Sequence, residues 1–251
     1  MQLTTLAPTI VYATFCIFIA AVVRGYSGFG FSLLAITATS LVVPPATAVP
    51  SIFMLEVLAG LPLLPGVWRL IHWRALFGLF CGSLLGTPFG VYALAHAPGV
   101  PMTLALAVFV LASAVLLARG YRLLRMPGPA LTFAAGTASG LANGGFGMGG
   151  PPVILFFFSS PAGTEAGRAS LIAFFFLTDL VGLAWQGSNG LITVPTLVRA
   201  ALFLPPLAAG IWLGNRSFKR ADPIIARRWV LRLLMLLALL TGARALWQLC
   251  C

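Results

Sequence analysis

Long apolar stretches separated by short polar segments run through the chain from end to end. Several of them, such as residues 75–95 and 195–213, are about 20 residues long, the length that a helix needs to cross the hydrocarbon core of a bilayer. Others, such as residues 31–43 and 153–158, are too short to cross it. We therefore predict an all-α polytopic membrane protein with 8–10 transmembrane segments, some of them built from short helices.

Two glycine-rich breaks interrupt this apolar pattern. The first, residues 24–30, ends in Gly-Phe-Gly at Gly30, and the second, residues 143–152, repeats Gly-Phe-Gly up to Gly147, 117 residues later. A bilayer offers no water to a backbone that leaves the helix, so such irregular chain must be buried in protein or line a cavity. Glycine-broken segments at matching places in two halves point to the binding site of a transporter.

Further matches between the halves indicate an internal duplication. The matched pairs keep their order along the chain: Pro45-Ala46 with Pro161-Ala162, Gly60 with Gly182, and Gly86 and Gly90 with Gly210 and Gly214. We predict one integral membrane domain, residues 1–251, in which repeat 1 covers about residues 8–118 and repeat 2 about residues 130–249. A basic linker, about residues 119–129, joins them.

The arginines predict how the repeats are oriented. Most of the positive charge lies in residues 69–74, 119–125 and 216–232, and loops of this kind face the cytoplasm. Residues 186–193, which contain no Lys or Arg, then lie outside, although the duplication matches them to the basic loop at Arg69. Equivalent loops on opposite sides predict two inverted repeats of about five helical elements each, with the breaks forming hairpins that face each other near the midplane.

Composition and charge limit the other possibilities. Of 251 residues, 60% are hydrophobic and only 8% are charged, which leaves no room for a soluble domain. The net charge of +11 is explained by cytoplasmic loops of a multi-pass inner-membrane protein, so we expect no nucleic-acid partner. The four cysteines lack metal-ligand spacing, and we predict no metal and no cofactor.

Taken together, the two breaks, the central basic loop, the Pro-Ala pairs and the Gly-xxx-Gly spans resemble the TauE/SafE family of sulfite exporters, also called the 4-toluene sulfonate uptake permease family. The resemblance covers nearly the whole chain. It implies a secondary transporter of small sulfur-containing or organic anions, such as sulfite or sulfonates, in a bacterial inner membrane. The family's pattern can be assigned to individual residues only at the glycines of the breaks: Gly25, Gly28, Gly30, Gly144, Gly145, Gly147, Gly149 and Gly150.

The breaks are also the predicted substrate site. Unwound backbone exposes N–H groups, and the positive end of the following half-helix helps to hold an anion. Ser27 and Asn143 would add hydrogen bonds, Phe29 and Phe146 would wall the site, and Arg24 would either pair with a sulfonate or extend to the membrane interface. The alternative is that the glycines only allow helices to cross closely. The full candidate set is Arg24, Ser27, Gly28, Phe29, Gly30, Asn143, Gly144, Gly145, Phe146, Gly147, Gly149 and Gly150.

Two acidic residues lie in the middle of apolar spans. Glu56 precedes Gly60, and Asp179 precedes the matching Gly182. A charge at that depth costs at least ~2.5 kcal/mol, so such residues are usually functional or paired. We predict that Glu56 or Asp179 binds a coupling ion, most simply a proton; the alternative is a structural partner for an arginine or a backbone group.

Two other classes of function are alternatives to a transporter that works by alternating access. Residues 25–28 spell the Gly-x-Ser-Gly motif of rhomboid intramembrane proteases with Ser27 as nucleophile, but neither His72 nor His96 lies inside a span to activate it. An anion channel is suggested by the likeness of Gly-Phe-Gly to a potassium filter, although the Thr-Val that precedes that filter is missing. We predict a carrier and no catalytic residue; the anion, the direction of transport and the oligomeric state stay open.

Overall fold

A computed structural model describes residues 3–27, 30–119, 127–159, 164–218 and 223–250 of the chain. Within these ranges the regular structure is entirely helical, with no strand. Six of the described helical segments are long and apolar enough to cross a membrane. The prediction of an all-α polytopic membrane protein is therefore confirmed.

The two halves of the chain contain the same sequence of elements. The helices of the first half are α1 (Leu3–Ser27), α2 (Phe31–Thr39), α3 (Pro45–Gly60), α4 (Leu64–Val67), α5 (Trp73–His96) and α6 (Gly99–Arg119). Those of the second half are α7 (Pro129–Phe146), α8 (Gly150–Ser159), α9 (Thr164–Ser188), α10 (Val194–Phe218) and α11 (Pro223–Cys250). In each half a long helix is followed by a glycine break, a short helix and three longer elements; α4 is the one addition, between two 3-10 turns.

The first compact unit combines residues Met1–Leu55, Pro98–Val115 and Val194–Cys251. Its main interface is formed by α1 and α10, and α2 packs against both α1 and α11. A Cβ added to Gly210 would lie 2.6 Å from the Cβ of Ala21 and 2.7 Å from the carbonyl oxygen of Phe18. The backbones of α1 and α10 are thus in direct contact, which a side chain at Gly210 would prevent.

The second compact unit combines Glu56–Ala97 and Leu116–Thr193. Here α5 packs along α7, α9 packs against α5, and α8 contacts α7 and α9. A Cβ added to Gly86 would lie 2.6 Å from the backbone nitrogen of Leu141, and one added to Gly90 would lie 2.6 Å from that of Gly145. Glycines four residues apart thus give α5 a close-packing face toward α7.

The compact units do not coincide with the two repeats. The first helix of each repeat packs along the third long helix of the other repeat, since α1 pairs with α10 and α7 pairs with α5. Each unit therefore needs helices from both halves of the chain, which the sequence pattern did not reveal.

Several predicted boundaries were wrong, and all in the same direction. Residues 24–27 and 143–146, expected in the breaks, continue α1 and α7, and residues 61–70, expected in part as a loop, form consecutive helical turns. The reason is clearest in α7, where Gly144 lies against the backbone of Thr87. This glycine therefore serves the packing of two helices and not a turn of the chain. Within a bilayer the backbone stays helical by default, because helical hydrogen bonds satisfy its N–H and C=O groups without water.

Candidate functional site

The second break is a tight reversal of the backbone that lies entirely within the second unit. After α7 ends at Phe146, Gly147 adopts a left-handed conformation with φ 67° and ψ 22°. Its N–H donates to the carbonyl of Asn143 at 2.7 Å, and the N–H of Met148 donates to the carbonyl of Ala142 at 3.4 Å. Glycine is the residue that ends helices in this way, because it has no Cβ to clash in the left-handed region.

Polar side chains of α7 hold the chain just beyond this reversal. The Oδ1 atom of Asn143 accepts a hydrogen bond from the N–H of Gly149 at 3.1 Å, and the hydroxyl of Ser139 donates to the carbonyl of Gly149 at 2.5 Å. Asn143 and Ser139 are both buried. The peptide groups at Gly149 are thus hydrogen-bonded to side chains of the protein, whereas an irregular backbone facing lipid would have no such partners.

The same asparagine connects the break to a buried acid. Its Nδ2 atom donates to Oδ1 of Asp179 on α9 at 2.9 Å, and Asp179 is only 5% exposed. The side chain of Asn143 therefore bridges Gly149 and Asp179, with one end bound to a backbone N–H and the other to a carboxylate. We call Ser139, Asn143, Gly149 and Asp179 the break network.

Close packing fixes the residue type at the centre of this network. A Cβ added to Gly149 would lie 2.9 Å from both the Cβ of Asn143 and the hydroxyl of Ser139. A Cβ added to Gly150, where α8 begins, would lie 3.6 Å from the ring of Phe175 on α9. Gly149 therefore allows the hydrogen bonds of the break network to form at their short distances.

The first break lies in the first unit and uses the same backbone conformation. Gly30 is left-handed, with φ 89° and ψ 3°, and precedes α2, whose Leu34 N–H donates to the carbonyl of Gly30 at 3.2 Å. Arg24 lies in the last turn of α1 and is 8% exposed, so it is buried in this unit. The side chain of Ser27, and Gly28 and Phe29 as a whole, fall outside the described residues.

Of the predicted site residues, the structure brings Asn143, Gly149 and Asp179 together. Gly144 lies within α7, where a Cβ would meet the backbone of Val91 at 2.9 Å, and Gly145 faces Gly90. For these two glycines, the geometry matches the alternative of close helix crossing. Glu56 is buried in α3 at 8% exposure, and the hydrogen bonds of the break network do not include it.

Comparisons with known proteins decide the family. The model of the family described as sulfite exporter TauE/SafE matches residues 13–241, most of the chain. The chain belongs to the sulfite exporter TauE/SafE family. A protein of Cupriavidus necator named "Probable sulfite/organosulfonate exporter TauE" is 29% identical over 211 residues, which is 80% of this chain and 81% of that protein. No solved structure matches the chain significantly.

Membership in the TauE/SafE family confirms the predicted resemblance and makes the chain a membrane transport protein with several membrane-spanning helices. Both histidines are exposed: His72 caps α5 by accepting the N–H of Ala75 at 3.4 Å, and His96 stacks on Tyr92 with ring centroids 4.2 Å apart. Among the described residues, no group of three or more His, Cys, Asp or Glu side chains could hold a metal ion.

Two buried polar residues, one on α7 and one on α9, were missed by the sequence reasoning. Ser139 lies one turn before Asn143 on the same face of α7, and this spacing of four residues was a signal that could have identified it. Gln186 was read as the start of an outer loop, but it lies inside α9 and is fully buried. Its spacing of seven residues from Asp179, two helical turns, was the corresponding signal.

Proposed function

We propose that the chain is a secondary transporter that moves a small anion of oxidised sulfur, such as sulfite or an organosulfonate, across a bacterial inner membrane by alternating access. Family membership and the printed name of the Cupriavidus relative support this class of substrate. The observation that carries the proposal is the bridge formed by Asn143 between the broken backbone at Gly149 and the buried carboxylate of Asp179.

The second break supplies what an anion needs. At the start of α8, a helix of 10 residues, the positive end of the helix dipole attracts negative charge. Gly150 and Val153 are the residues of its first turn that have an N–H to donate, because Pro151 and Pro152 have none. No lysine, arginine or histidine is required for this, and none occurs in α7 or α8. In the first unit, the buried Arg24 is the side chain that we propose for pairing with a sulfonate.

Anion binding at the second break can depend on the protonation of Asp179. An ionised carboxylate next to the break repels an incoming anion, whereas a protonated carboxyl does not. Anion binding therefore favours proton binding at Asp179, and the two would move together. The helices α7 and α8, which pack on α9 at the break, contain no other ionisable side chain.

Ionisable groups on the other helical segments that pack against α9 lie at or near the protein surface. On α5 and the 3-10 turn before it, Arg69, Arg74, Tyr92 and His96 are exposed, and Cys81 is partly buried. The carboxylate of Asp179 is therefore the ionisable group of the break network itself, and Glu56 is the second candidate among the buried acids.

Transport assays in proteoliposomes test this proposal. The wild-type protein should take up labelled sulfite or a short organosulfonate with saturation, accumulate it against its gradient, and respond to an imposed pH gradient. Asp179→Asn keeps an acceptor for Nδ2 of Asn143 but removes the titratable charge, so uptake should lose its response to the pH gradient. Glu56→Gln is measured in parallel because both acids were predicted to couple transport.

The matched control is Glu165→Gln, which removes an exposed carboxylate from the first turn of the same helix. This variant should transport like the wild type. If Asp179→Asn and Glu56→Gln both kept the wild-type pH dependence, proton coupling through these acids would be wrong. Flux without saturation or accumulation would instead identify a channel, and no flux of any sulfur oxyanion would exclude the proposed substrate class.

A further inference from the structure

A buried amide lies two helical turns beyond Asp179. Gln186 is 0% exposed, although α9 ends only two residues later at Ser188. Its backbone carbonyl accepts a hydrogen bond from the N–H of Leu191 at 2.9 Å. Its side-chain atoms Nε2 and Oε1 have no hydrogen-bond partner among the residues that the structure describes.

The face of α9 that carries this amide is the face that meets the second break. Phe175, Asp179, Gly182 and Gln186 are separated by four, three and four residues, so they lie along one side of the helix. Phe175 lies 3.6 Å from the place of a Cβ on Gly150, and Asp179 bonds Asn143. Because Gly182 has no side chain, part of the surface between Asp179 and Gln186 is bare backbone.

The chemistry of this position is unusual for a membrane helix. Burying an amide without hydrogen bonds is unfavourable, and the helix could carry leucine here at no such penalty. Buried polar groups are almost always hydrogen-bonded, so an amide without a protein partner calls for an explanation, such as a ligand or a bound water. In a transporter, the substrate can be that ligand, because it is bound only during part of the transport cycle.

We propose that the amide of Gln186 is a second hydrogen-bonding position for the transported anion, about 10 Å along α9 from Asp179. This inference rests on the proposed function. The Nε2 group would donate to a sulfite or sulfonate oxygen, and the neutral amide would hold the anion weakly enough to release it.

The test compares Gln186→Leu with the wild type in the full-length protein. Uptake of sulfite and of methanesulfonate into proteoliposomes gives KM and the maximal rate, and thermal unfolding in detergent gives Tm. We expect KM for the anion to rise at least tenfold, or uptake to be lost, while Tm stays equal or rises because an unpartnered buried amide has been removed. Gln186→Met, which resembles glutamine in length, should behave in the same way.

The control is Gln248→Leu, the same change at an exposed glutamine of α11, which should leave KM unchanged. Wild-type KM in Gln186→Leu would overturn the inference and mark the amide as satisfied by a structural water. A drop in Tm or aggregation of both Gln186 variants would also overturn it, because the amide would then stabilise the fold. A wild-type protein that moves neither anion would overturn the proposed function and this inference together.

Discussion

The first and second breaks share a backbone but differ in side chains. Gly30 and Gly147 both adopt a left-handed conformation, at φ 89° and 67°. At the spacing of 117 residues that relates them, however, Ser139 and Asn143 correspond to Val22 and Tyr26. The polar residues that tie the second break to Asp179 therefore have no equivalents of the same chemistry in the first half.

The charged residues near the breaks differ as well. The first unit buries Arg24 in the last turn of α1, and at the same spacing the second half has the apolar Leu141. The second unit buries Asp179 against its break. The duplicated backbone has thus been kept while the charged side chain next to it differs, Arg24 at the first break and Asp179 at the second, so the two breaks are not expected to do the same chemistry.

The largest effect is expected where the helix that carries each break packs against its partner. Gly86→Ala should lower the stability by about 3 kcal/mol, because the new methyl would overlap the backbone of α7, 2.6 Å from the nitrogen of Leu141. Gly210→Ala, at the matched position against α1, should cost less, about 2 kcal/mol. Its new methyl would lie 2.7 Å from the nearest backbone atom, the carbonyl oxygen of Phe18, whereas at Gly86 the carbonyl oxygen of Thr137 lies closer still. Unfolding in detergent by SDS titration measures both values.

Gly66→Ala provides the control for these two variants. Gly66 is exposed, and nothing lies within 4 Å of the place of its Cβ, so stability should not fall. If Gly86→Ala were as stable as Gly66→Ala, the close packing of α5 on α7 would be disproved.

A smaller effect is expected from the break network, which distinguishes the second break from the first. Asn143→Ala removes the hydrogen bonds that the Asn143 side chain makes with the N–H of Gly149 and the carboxylate of Asp179, and should cost about 2 kcal/mol. Ser139→Val gives the second break the residue found at position 22 and should cost about 1 kcal/mol, because one hydrogen bond to Gly149 is lost. Thermal unfolding of the purified variants checks this order.

Asn215→Ala is the matched control, since Asn215 is exposed on α10 and its loss should be nearly neutral. Equal stability of the Asn143 and Asn215 variants would show that the bridge between the break and Asp179 contributes nothing to the fold.

The smallest difference in stability between matched variants of the two breaks is expected at their shared left-handed glycines. Gly30→Ala and Gly147→Ala should each cost about 1–2 kcal/mol, because a left-handed backbone strains a residue with a Cβ. At Gly30 no atom of the described residues lies within 4 Å of an added Cβ, so the expected cost there is conformational. Gly128→Ala, at φ −65°, serves as the unstrained control. A clear loss at one break only would contradict a shared backbone conformation.

Sequence reasoning predicted the features that depend on local pattern. Apolar length identified the helices, the Gly-Phe-Gly repeats located both left-handed glycines within a few residues, and the burial of Asp179 followed from its place in a span. It did not predict that Asn143 bonds Asp179, because the two are 36 residues apart and meet only through packing of α7 and α9. It also placed Gly144 in the break, since a pair of glycines looks the same in a turn and in a tight helix contact.

The exchange of helices between repeats has a consequence for how the polypeptide is made. When α1 leaves the ribosome, its packing partner α10 has not yet been synthesised, and nearly the whole length of the protein must follow before their interface can close. Until then the face of α1 that packs on α10 must be covered by lipid or by the insertion machinery. Two halves expressed as separate polypeptides would each lack the partner of their first helix, so they should become stable only when produced together in one cell.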